Sequence, residues 1–325
     1  MKAIVQKEYG SPDVLELGDV ERPRIGDGEV LVRVHAAGVD RGVWHLMTGM
    51  PYLLRLFGFG LRAPKNPVPG MDVSGVVEAV GKNVTRFRPG DEVFGIGRGT
   101  FAEYARVRED KLAPKPGSLT FEESAALAIS GLTALQAVRD HGRVEPGQSV
   151  LVTGASGGVG TYAVQIAKAF GAEVTGVCGT EKVEMVRSIG VDRVIDYTRE
   201  DFAETKRSFD VILDIGGNSP LSRLRHALAP KGTLVIAGGE GGRWLGGTDR
   251  QLRAIMLSPF VSQKLGAFVS PENHEDMLAL KELVEAGKVK PILDKTFPLA
   301  EAPKAIRYLE EGYVKGKVVV SVESA

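Results

Sequence analysis

The clearest pattern in the chain is a β-branched run that ends in glycines and continues as an apolar series of helical spacing. Val150 to Thr153 is typical of a buried strand, and apolar residues then recur from Val159 to Phe170 as on one face of a helix. A strand, a tight turn and a helix in direct succession bring several backbone N–H groups and a helix dipole to one point. The pattern therefore predicts a site for the pyrophosphate of a dinucleotide.

The glycine turn itself carries most of the G-x-G-x-x-G fingerprint. Ala155, Gly157 and Gly160 occupy its three positions, with alanine where the first glycine is usual. The fingerprint has its strand, its helix and the start of a further strand at Ala172 to Val177, which is the context that it needs. We predict that the turn binds the nucleotide through Ala155, Ser156, Gly157, Gly158, Val159 and Gly160.

The same turn also fits a different class of enzyme. Gly154 to Gly158 matches the G-x-S-x-G elbow of serine hydrolases, with Ser156 as the nucleophile. Asp214, followed by His226 or His274, would complete such a triad. Against this, no glycine-rich oxyanion segment follows an earlier strand, and closely spaced glycines favour backbone approach over display of a hydroxyl. As a plain turn residue, Ser156 would instead lie beside the phosphate.

The remaining hydrophobic pattern divides the chain into two parts. Up to about residue 120, short strands alternate with glycine and proline, and Val30 to His35 alternates between two faces. This spacing predicts a small barrel-like β domain. From Phe121 onward, strands alternate with helices, which predicts a doubly wound α/β sheet with its ligand crevice at the carboxyl ends of the strands.

Composition and charge narrow the function classes. A chain of 325 residues favours two domains, and the balance of 41 acidic against 41 basic residues offers no basic excess for nucleic acid. The start, MKAIVQKEYG, lacks the apolar core of a signal peptide, and no apolar run reaches membrane-spanning length. We therefore expect a cytoplasmic protein. The single cysteine, Cys178, excludes intramolecular disulfides and a cysteine-rich zinc lobe.

Several motifs together resemble a known family. They are the P-G-x-D-x-x-G-x-V run from Pro69 to Val77, the segment Phe87 to Val93, Gly131 to Ala134, and the glycine turn. Their order and spacing resemble the medium-chain dehydrogenases/reductases, and specifically the zinc-independent, quinone-oxidoreductase-like (zeta-crystallin-like) branch. The resemblance covers nearly the whole chain.

The resemblance implies an α/β fold of two domains. A GroES-like β-barrel catalytic domain would comprise residues 1–122 and 288–325, and a doubly wound Rossmann domain residues 123–287, with NADPH in the cleft between them. It also implies hydride transfer to a quinone or an α,β-unsaturated carbonyl, on an apolar small-molecule substrate. A homodimer is expected too, and the apolar stretch from Ile255 to Phe268 is suited to carry a sheet edge into a partner.

Two residues argue against a catalytic metal. Zinc-dependent relatives have a cysteine near the place of Asp40 and a histidine at the place of Met71. Without a thiolate, an imidazole or a second cluster, a tetrahedral zinc site cannot be assembled. We therefore predict that the protein needs no metal.

The segment from Ala36 to Gly49 matches the family loop that approaches the nicotinamide. Asp40 stands where the family favours asparagine, and His45 stands where relatives carry tyrosine or histidine close to the substrate. The proton donor is left open between His45, Tyr52 and a water molecule. We assign the catalytic positions to Asp40, His45 and Tyr52.

Cofactor contacts outside the glycine turn are assigned in part by resemblance. No acid follows the second strand at Cys178 or Gly179, whereas an acid there would select NAD. We therefore predict NADPH, with Thr180 donating a hydrogen bond and Lys182 supplying charge to its 2′-phosphate. The assigned residues are Thr133, Thr180, Lys182, Tyr197, Gly238, Gly239 and Lys317.

Two further points stay open in the sequence. The segment of residues 50–65 is too apolar for an ordinary loop, and it fits either a lid or pocket wall over an apolar substrate or a short core-packed helix. A non-catalytic protein that binds NADPH for stability or signalling is the second function class compatible with these residues, beside the hydrolase.

Overall fold

The chain forms two compact units in a computed structural model that describes residues 1–52, 55–205, 208–239 and 244–322. The first unit consists of Met1–Leu132, Glu272–Glu285 and Pro291–Ala325, and the second of Thr133–Pro271 and Ala286–Lys290. Both units are therefore built from segments that are discontinuous along the chain.

The elements of the described residues follow in chain order. The strands are β1 (Lys2–Gln6), β2 (Leu15–Asp19), β3 (Glu29–Val39), β4 (Asp72–Val80), β5 (Glu92–Ile96), β6 (Tyr104–Arg108), β7 (Leu112–Pro114), β8 (Ser149–Thr153), β9 (Glu173–Cys178), β10 (Arg193–Asp196), β11 (Phe209–Asp214), β12 (Leu228–Ile236), β13 (Lys264–Ala267), β14 (Leu293–Pro298) and β15 (Lys317–Ser321). The helices are α1 (Arg41–Thr48), α2 (Phe121–Ala125), α3 (Ala128–Gln136), α4 (Gly158–Ala169), α5 (Val183–Ser188), α6 (Leu221–Ala227), α7 (Thr248–Leu257), α8 (His274–Glu285) and α9 (Ala302–Glu310). None of these helices has the length and apolar character needed to cross a membrane.

The first unit is built on a largely antiparallel sheet of order β14-β15-β3-β4-β5-β7, with β6 paired to β3. The alternation predicted in β3 is present: Val30, Val32 and Val34 are fully buried, whereas Arg33 and His35 are half-buried. The C-terminal strand β15 pairs with β3, so residues from both ends of the first unit's sequence lie side by side in one sheet. The GroES-like β architecture is thereby confirmed.

The second unit is a parallel sheet of order β10-β9-β8-β11-β12-β13. The chain winds outward from β8 through β9 to β10, then returns to β11 on the other side of β8. Sequential winding in opposite directions creates a switch point between β8 and β11, where the carboxyl ends of such sheets bind ligands. The predicted doubly wound Rossmann fold is confirmed.

The loop before β6 and the segment of residues 50–65 are irregular. The Phe101 N–H donates to the Pro69 carbonyl at 3.1 Å in a buried loop, and β6 begins at Tyr104. Within residues 50–65, Arg55 to Phe59 form a π-helical turn, and residues 53–54 lie outside the described part. Leu56 is 71% exposed and Leu61 67% exposed, so these two leucines are not packed in a core as the core-packed alternative expects.

Candidate active site

The glycine turn joins β8 to α4 at the switch point of the parallel sheet. Gly154 adopts a positive φ of 66°, and the Ala155 N–H donates to the Val177 carbonyl at 3.0 Å, which ties the turn to the neighbouring strand. Gly157 is the N-cap of α4 and gives it no side-chain cap. Because the first N–H groups of a helix have no acceptor within it, the start of α4 can bind an anion.

Two glycines of the turn have distinct surroundings. A Cβ atom at Gly160 would collide with the carbonyl oxygen of Gly154, so only glycine lets α4 pack this closely on the turn. A Cβ atom at Gly157 would meet only the Gly154 oxygen, at 3.5 Å, which is an ordinary contact. The space in front of Gly157 is therefore open to a ligand, and this cradle fits a dinucleotide pyrophosphate.

The acid of the hydrolase alternative is engaged elsewhere. Asp214 is fully buried at the end of β11, and its Oδ1 accepts from the Thr153 hydroxyl at 2.7 Å. Its Oδ2 forms an ion pair with Arg250, not with a histidine. His226 lies exposed on α6, so Ser156 has no assembled triad in the described residues of this unit.

Arg250 ties the ends of two strands to α7. Beside its ion pair with Asp214, it donates from Nη1 to the Ser219 carbonyl at 2.8 Å and from Nη2 to the Gly238 carbonyl at 3.0 Å. The Gly238 N–H in turn donates to the Asp214 carbonyl at 3.0 Å. Gly238 is thus held at the carboxyl edge of the sheet, and Gly239, which the sequence also assigns to the cofactor, follows directly.

The ends of β9 and β10 bring Thr180 and Tyr197 together with an acid, Asp196, that the sequence pattern does not predict to be there. The Thr180 hydroxyl donates to Asp196 Oδ2 at 2.6 Å, whereas the prediction has it donating to a phosphate. Tyr197 is 66% exposed, and its hydroxyl lies 3.2 Å from where a Cβ of Gly179 would be. Lys182 is half-buried at the end of the helical turn that begins at Thr180.

In the first unit, Asp40 and His45 lie on the same short helix. Asp40 is the N-cap of α1, and its Oδ1 accepts from the Val43 N–H at 3.0 Å. Its Oδ2 is buried and has no hydrogen-bond partner among the described residues. A buried carboxylate oxygen left in this state can accept a hydrogen bond from a bound ligand.

His45 has a defined tautomer because of its neighbour. Its Nδ1 lies 2.8 Å from the Met50 carbonyl oxygen, which can only accept, so Nδ1 carries the hydrogen.

Tyr52 lies 4.8 Å from the guanidinium of Arg55, measured to the ring centre. Arg55 also donates to the Gly49 carbonyl at 2.9 Å, so Tyr52 is held close to the C-terminal end of α1.

The predicted cofactor ligand Lys317 lies in the first unit, where it is 2% exposed. Its Nζ forms an ion pair with Asp72 at 3.1 Å and donates to the Ser130 hydroxyl at 3.2 Å. Burial raises the pKa of Asp72 to about 7, against the attraction of Lys317. The role of Lys317 at the cofactor stays a prediction, as does that of Thr133, which lies in α3.

The places where zinc-dependent relatives carry metal ligands lie in the first unit. Within the part of the chain that the structure describes, no three His, Cys, Asp or Glu side chains are grouped to hold a metal ion. At the places of the family's metal ligands stand Asp40, which caps a helix, and Met71, whose thioether is a poor ligand for zinc. Zinc independence remains a prediction that rests on these residue types.

Family profiles match both parts of the chain. The profile described as "Alcohol dehydrogenase GroES-like domain" matches residues 26–117. The profile described as "Zinc-binding dehydrogenase" matches residues 189–320. The two matches together cover segments from both compact units.

Curated relatives match along nearly the whole chain. A 2-methylene-furan-3-one reductase of Solanum lycopersicum is 35% identical and covers 98% of this chain and 79% of its own length. An NADPH-dependent alkenal/one oxidoreductase of Arabidopsis thaliana is 34% identical, with the same two coverages of 98% and 79%. The quinone oxidoreductase of Sus scrofa is 32% identical over 94% of this chain and 92% of its own.

Solved structures agree with this placement. The quinone oxidoreductase from Coxiella burnetii is 28% identical, superposes with a TM-score of 0.88 and covers 99% of both chains. The mycobacterial protein Rv1454c, solved in complex with NADPH, is 26% identical with a TM-score of 0.83, over 99% of this chain and 100% of its own. From its relatives, its domain profiles and its fold, the chain belongs to the quinone-oxidoreductase-like medium-chain dehydrogenases/reductases.

Proposed function

We propose that the protein is an NADPH-dependent oxidoreductase that transfers hydride to a quinone or to an α,β-unsaturated carbonyl compound. The observation that carries this proposal is the glycine cradle at the switch point, in a chain whose relatives are named for quinone and enone reduction. NADPH, when bound, supplies the hydride. The protein contributes binding, orientation and hydrogen bonds to the acceptor oxygen.

The cofactor would be held mainly by backbone groups of the second unit. The N–H groups at the start of α4, beside Ser156, would bind the pyrophosphate, and Gly157 leaves room for it. Gly238, fixed by Arg250, and Gly239 would lie at the same carboxyl edge of the sheet. Thr180, Lys182 and Tyr197 would surround the adenosine ribose.

The catalytic side would be supplied by the segment around α1. Asp40 would accept a hydrogen bond through its buried Oδ2. Because Nδ1 of His45 carries a hydrogen, neutral His45 presents Nε2 as an acceptor and can donate a proton from that atom only as imidazolium. The proton delivered to the reduced substrate would come from His45 as imidazolium, from Tyr52 or from a water molecule.

A test must separate this enzyme from a protein that only binds NADPH. We expect NADPH oxidation on addition of 9,10-phenanthrenequinone or an α,β-unsaturated aldehyde, at a rate that scales with protein concentration. Saturable NADPH binding without turnover of either class would favour the non-catalytic alternative. Labelling of Ser156 by a reactive-serine probe would favour the hydrolase.

Assembly and location are further parts of the proposal. We propose a homodimer joined through β13, which is the last strand of the parallel sheet in the described residues. We also propose a cytoplasmic location. The Arabidopsis alkenal/one oxidoreductase, by contrast, is named as chloroplastic.

A further inference from the structure

The end of β10 carries an acid beside the place where dinucleotide folds read the ribose. Asp196 is the last residue of β10 and pairs in register with Cys178, the last residue of β9. In a dinucleotide fold, an acid at the end of the second strand, which is β9 here, selects NAD by binding the ribose hydroxyls. Asp196 thus lies at the level of that position, one strand to the side.

The hydrogen bonds around Asp196 use up the nearby hydroxyl hydrogens. Thr180 donates to Oδ2 at 2.6 Å, and Thr198 donates to Oδ1 at 2.8 Å through its hydroxyl and at 3.0 Å through its N–H. The two threonine hydroxyls lie 2.9 Å apart. Each hydroxyl has one hydrogen, so after both donate to Asp196 they present only lone pairs to a ligand.

Asp196 keeps its negative charge near neutral pH. The hydrogen bond from Thr180 is the main reason why the pKa of Asp196 lies below its ordinary value. The carboxylate also affects Cys178 at the end of β9. Burial raises the pKa of Cys178 to about 11, the charge of Asp196 raises it further, and the charge of Lys182 lowers it. Arg199, 3.6 Å from Asp196 Oδ2, is 75% exposed and offsets the charge only in part.

The cluster therefore suits a hydroxyl better than a phosphate. A ribose 2′-hydroxyl can donate to the lone pair of Thr180, whereas a 2′-phosphate dianion has no hydrogen to give and is repelled by the carboxylate. Lys182 has the opposite effect because its ammonium attracts a phosphate. Lys182 therefore favours NADPH, whereas Asp196 disfavours it.

We propose that Asp196 is a specificity-determining residue that limits the preference for NADPH over NADH, because it takes the Thr180 hydrogen and places a carboxylate beside the 2′-position. This inference rests on the proposed function, in which the second unit binds the dinucleotide. Because of Asp196, the wild type is expected to prefer NADPH over NADH only moderately.

The test compares dissociation constants for NADPH and NADH, measured by nicotinamide fluorescence, in the full chain and its variants. Asp196→Asn keeps the side-chain shape and removes the charge. It is expected to tighten NADPH by about tenfold and to leave NADH within about threefold. Asp196→Ser, a second neutral variant, is expected to shift the ratio in the same direction. Calorimetric titration with adenosine 2′,5′-bisphosphate and with AMP compares a ligand that has the 2′-phosphate with one that lacks it, in the absence of a nicotinamide.

Glu181→Gln is the matched control, because Glu181 is an exposed acid next to Thr180. Its ratio of the two constants is expected to stay within about twofold of the wild type. An unchanged ratio in both neutral Asp196 variants, or an equal shift in Glu181→Gln, would overturn the inference. If the wild type binds neither dinucleotide, the proposed function itself fails, and that result is distinct from binding with an unaltered ratio.

Discussion

Gly157 and Gly160 serve the nucleotide turn in different physical ways, and substitution separates them. A Cβ at Gly157 has only an ordinary contact in the protein but projects into the space that a pyrophosphate would fill. We expect Gly157→Ala to keep the thermal midpoint within about two degrees and to weaken NADPH binding by tenfold or more, about 1.4 kcal/mol per factor of ten. Calorimetry and NADPH titration measure the two effects.

Gly160→Ala is the paired variant for that experiment. Its Cβ would collide with the Gly154 carbonyl, so α4 must shift, at a cost of about 1–3 kcal/mol in the free energy of unfolding. It should lose both stability and binding. Wild-type affinity for NADPH in Gly157→Ala would show that the turn does not approach a pyrophosphate.

The buried pair of Asp72 and Lys317 gives a prediction that depends on pH. Lys317→Met leaves the Asp72 carboxylate unpaired in the interior, which costs about 3–5 kcal/mol when it is charged. Below its raised pKa, Asp72 takes up a proton in the folded state and becomes neutral, so stability is present at low pH and is lost as pH rises through that pKa. Without the attraction of Lys317 the pKa of Asp72 rises further in the variant, so the variant goes on losing stability above the wild-type pKa of about 7 while the wild type does not. The stability gap between wild type and variant should therefore widen as pH rises from about 7 to about 9.

Denaturant unfolding across that pH range measures the gap. Lys304→Met is the control, because Lys304 forms an exposed pair with Glu301 and should change stability by less than about 1 kcal/mol at any pH. A gap that is the same at every pH would mean that Asp72 does not titrate in the folded variant.

The sequence predicts a functional residue when the residues that act with it are its neighbours along the chain. The glycine turn is contiguous, so its spacing alone predicted a nucleotide site. Asp196 lies 16 residues from Thr180, and Asp72 lies 245 residues from Lys317. The fold brings the members of each pair together from distant parts of the sequence. A pattern of neighbouring residues therefore does not predict these contacts.

At the scale of elements, the exposed edge strand β13 predicts how two copies associate. Phe260 is 84% exposed and Val269 92% exposed on either side of this strand, which ends the sheet in the described residues. Light scattering at micromolar concentration should give the mass of a dimer, and Phe260→Glu should shift it toward a monomer. Tyr313→Glu, at a residue 67% exposed in the first unit, should leave the dimer intact. A monomeric wild type would contradict this assembly.

Periodicity predicted regular elements better than irregular ones. The strands β3, β8 and β9 and the helix α4 follow directly from alternation and helical spacing. The π-helical turns at Arg55–Phe59 and Ala137–His141 were not predicted, because their hydrogen-bond register leaves no distinct periodicity in a five-residue segment.

At the scale of the whole molecule, the order of motifs predicted two architectures, and the structure and relatives agree with both. By the family resemblance α8 falls in the Rossmann domain of residues 123–287, whereas the structure groups Glu272–Glu285 with the first compact unit. In the structure, His274 Nδ1 lies 2.6 Å from the Leu112 carbonyl, and Lys111 pairs with Glu272, within the first unit.

Metal independence is a prediction for the whole protein. Met71 and Asp40 at the ligand places give zinc no tetrahedral site, so activity should survive dialysis against a strong chelator unchanged. Elemental analysis of the purified protein is the independent check. Stoichiometric zinc, or activity that is lost to the chelator and restored by zinc, would refute the prediction.

Isotope transfer tests whether the protein moves hydride from NADPH to an electron-poor acceptor. The protein is incubated with NADPH that carries deuterium at the transferable position of C4, together with trans-2-hexenal, and the product is examined by mass spectrometry and NMR. We expect a saturated aldehyde with deuterium at the carbon β to the carbonyl, and NADPH oxidation with 9,10-phenanthrenequinone in a parallel assay. NADPH that binds saturably but is not oxidised by either acceptor above the protein-free rate would contradict it.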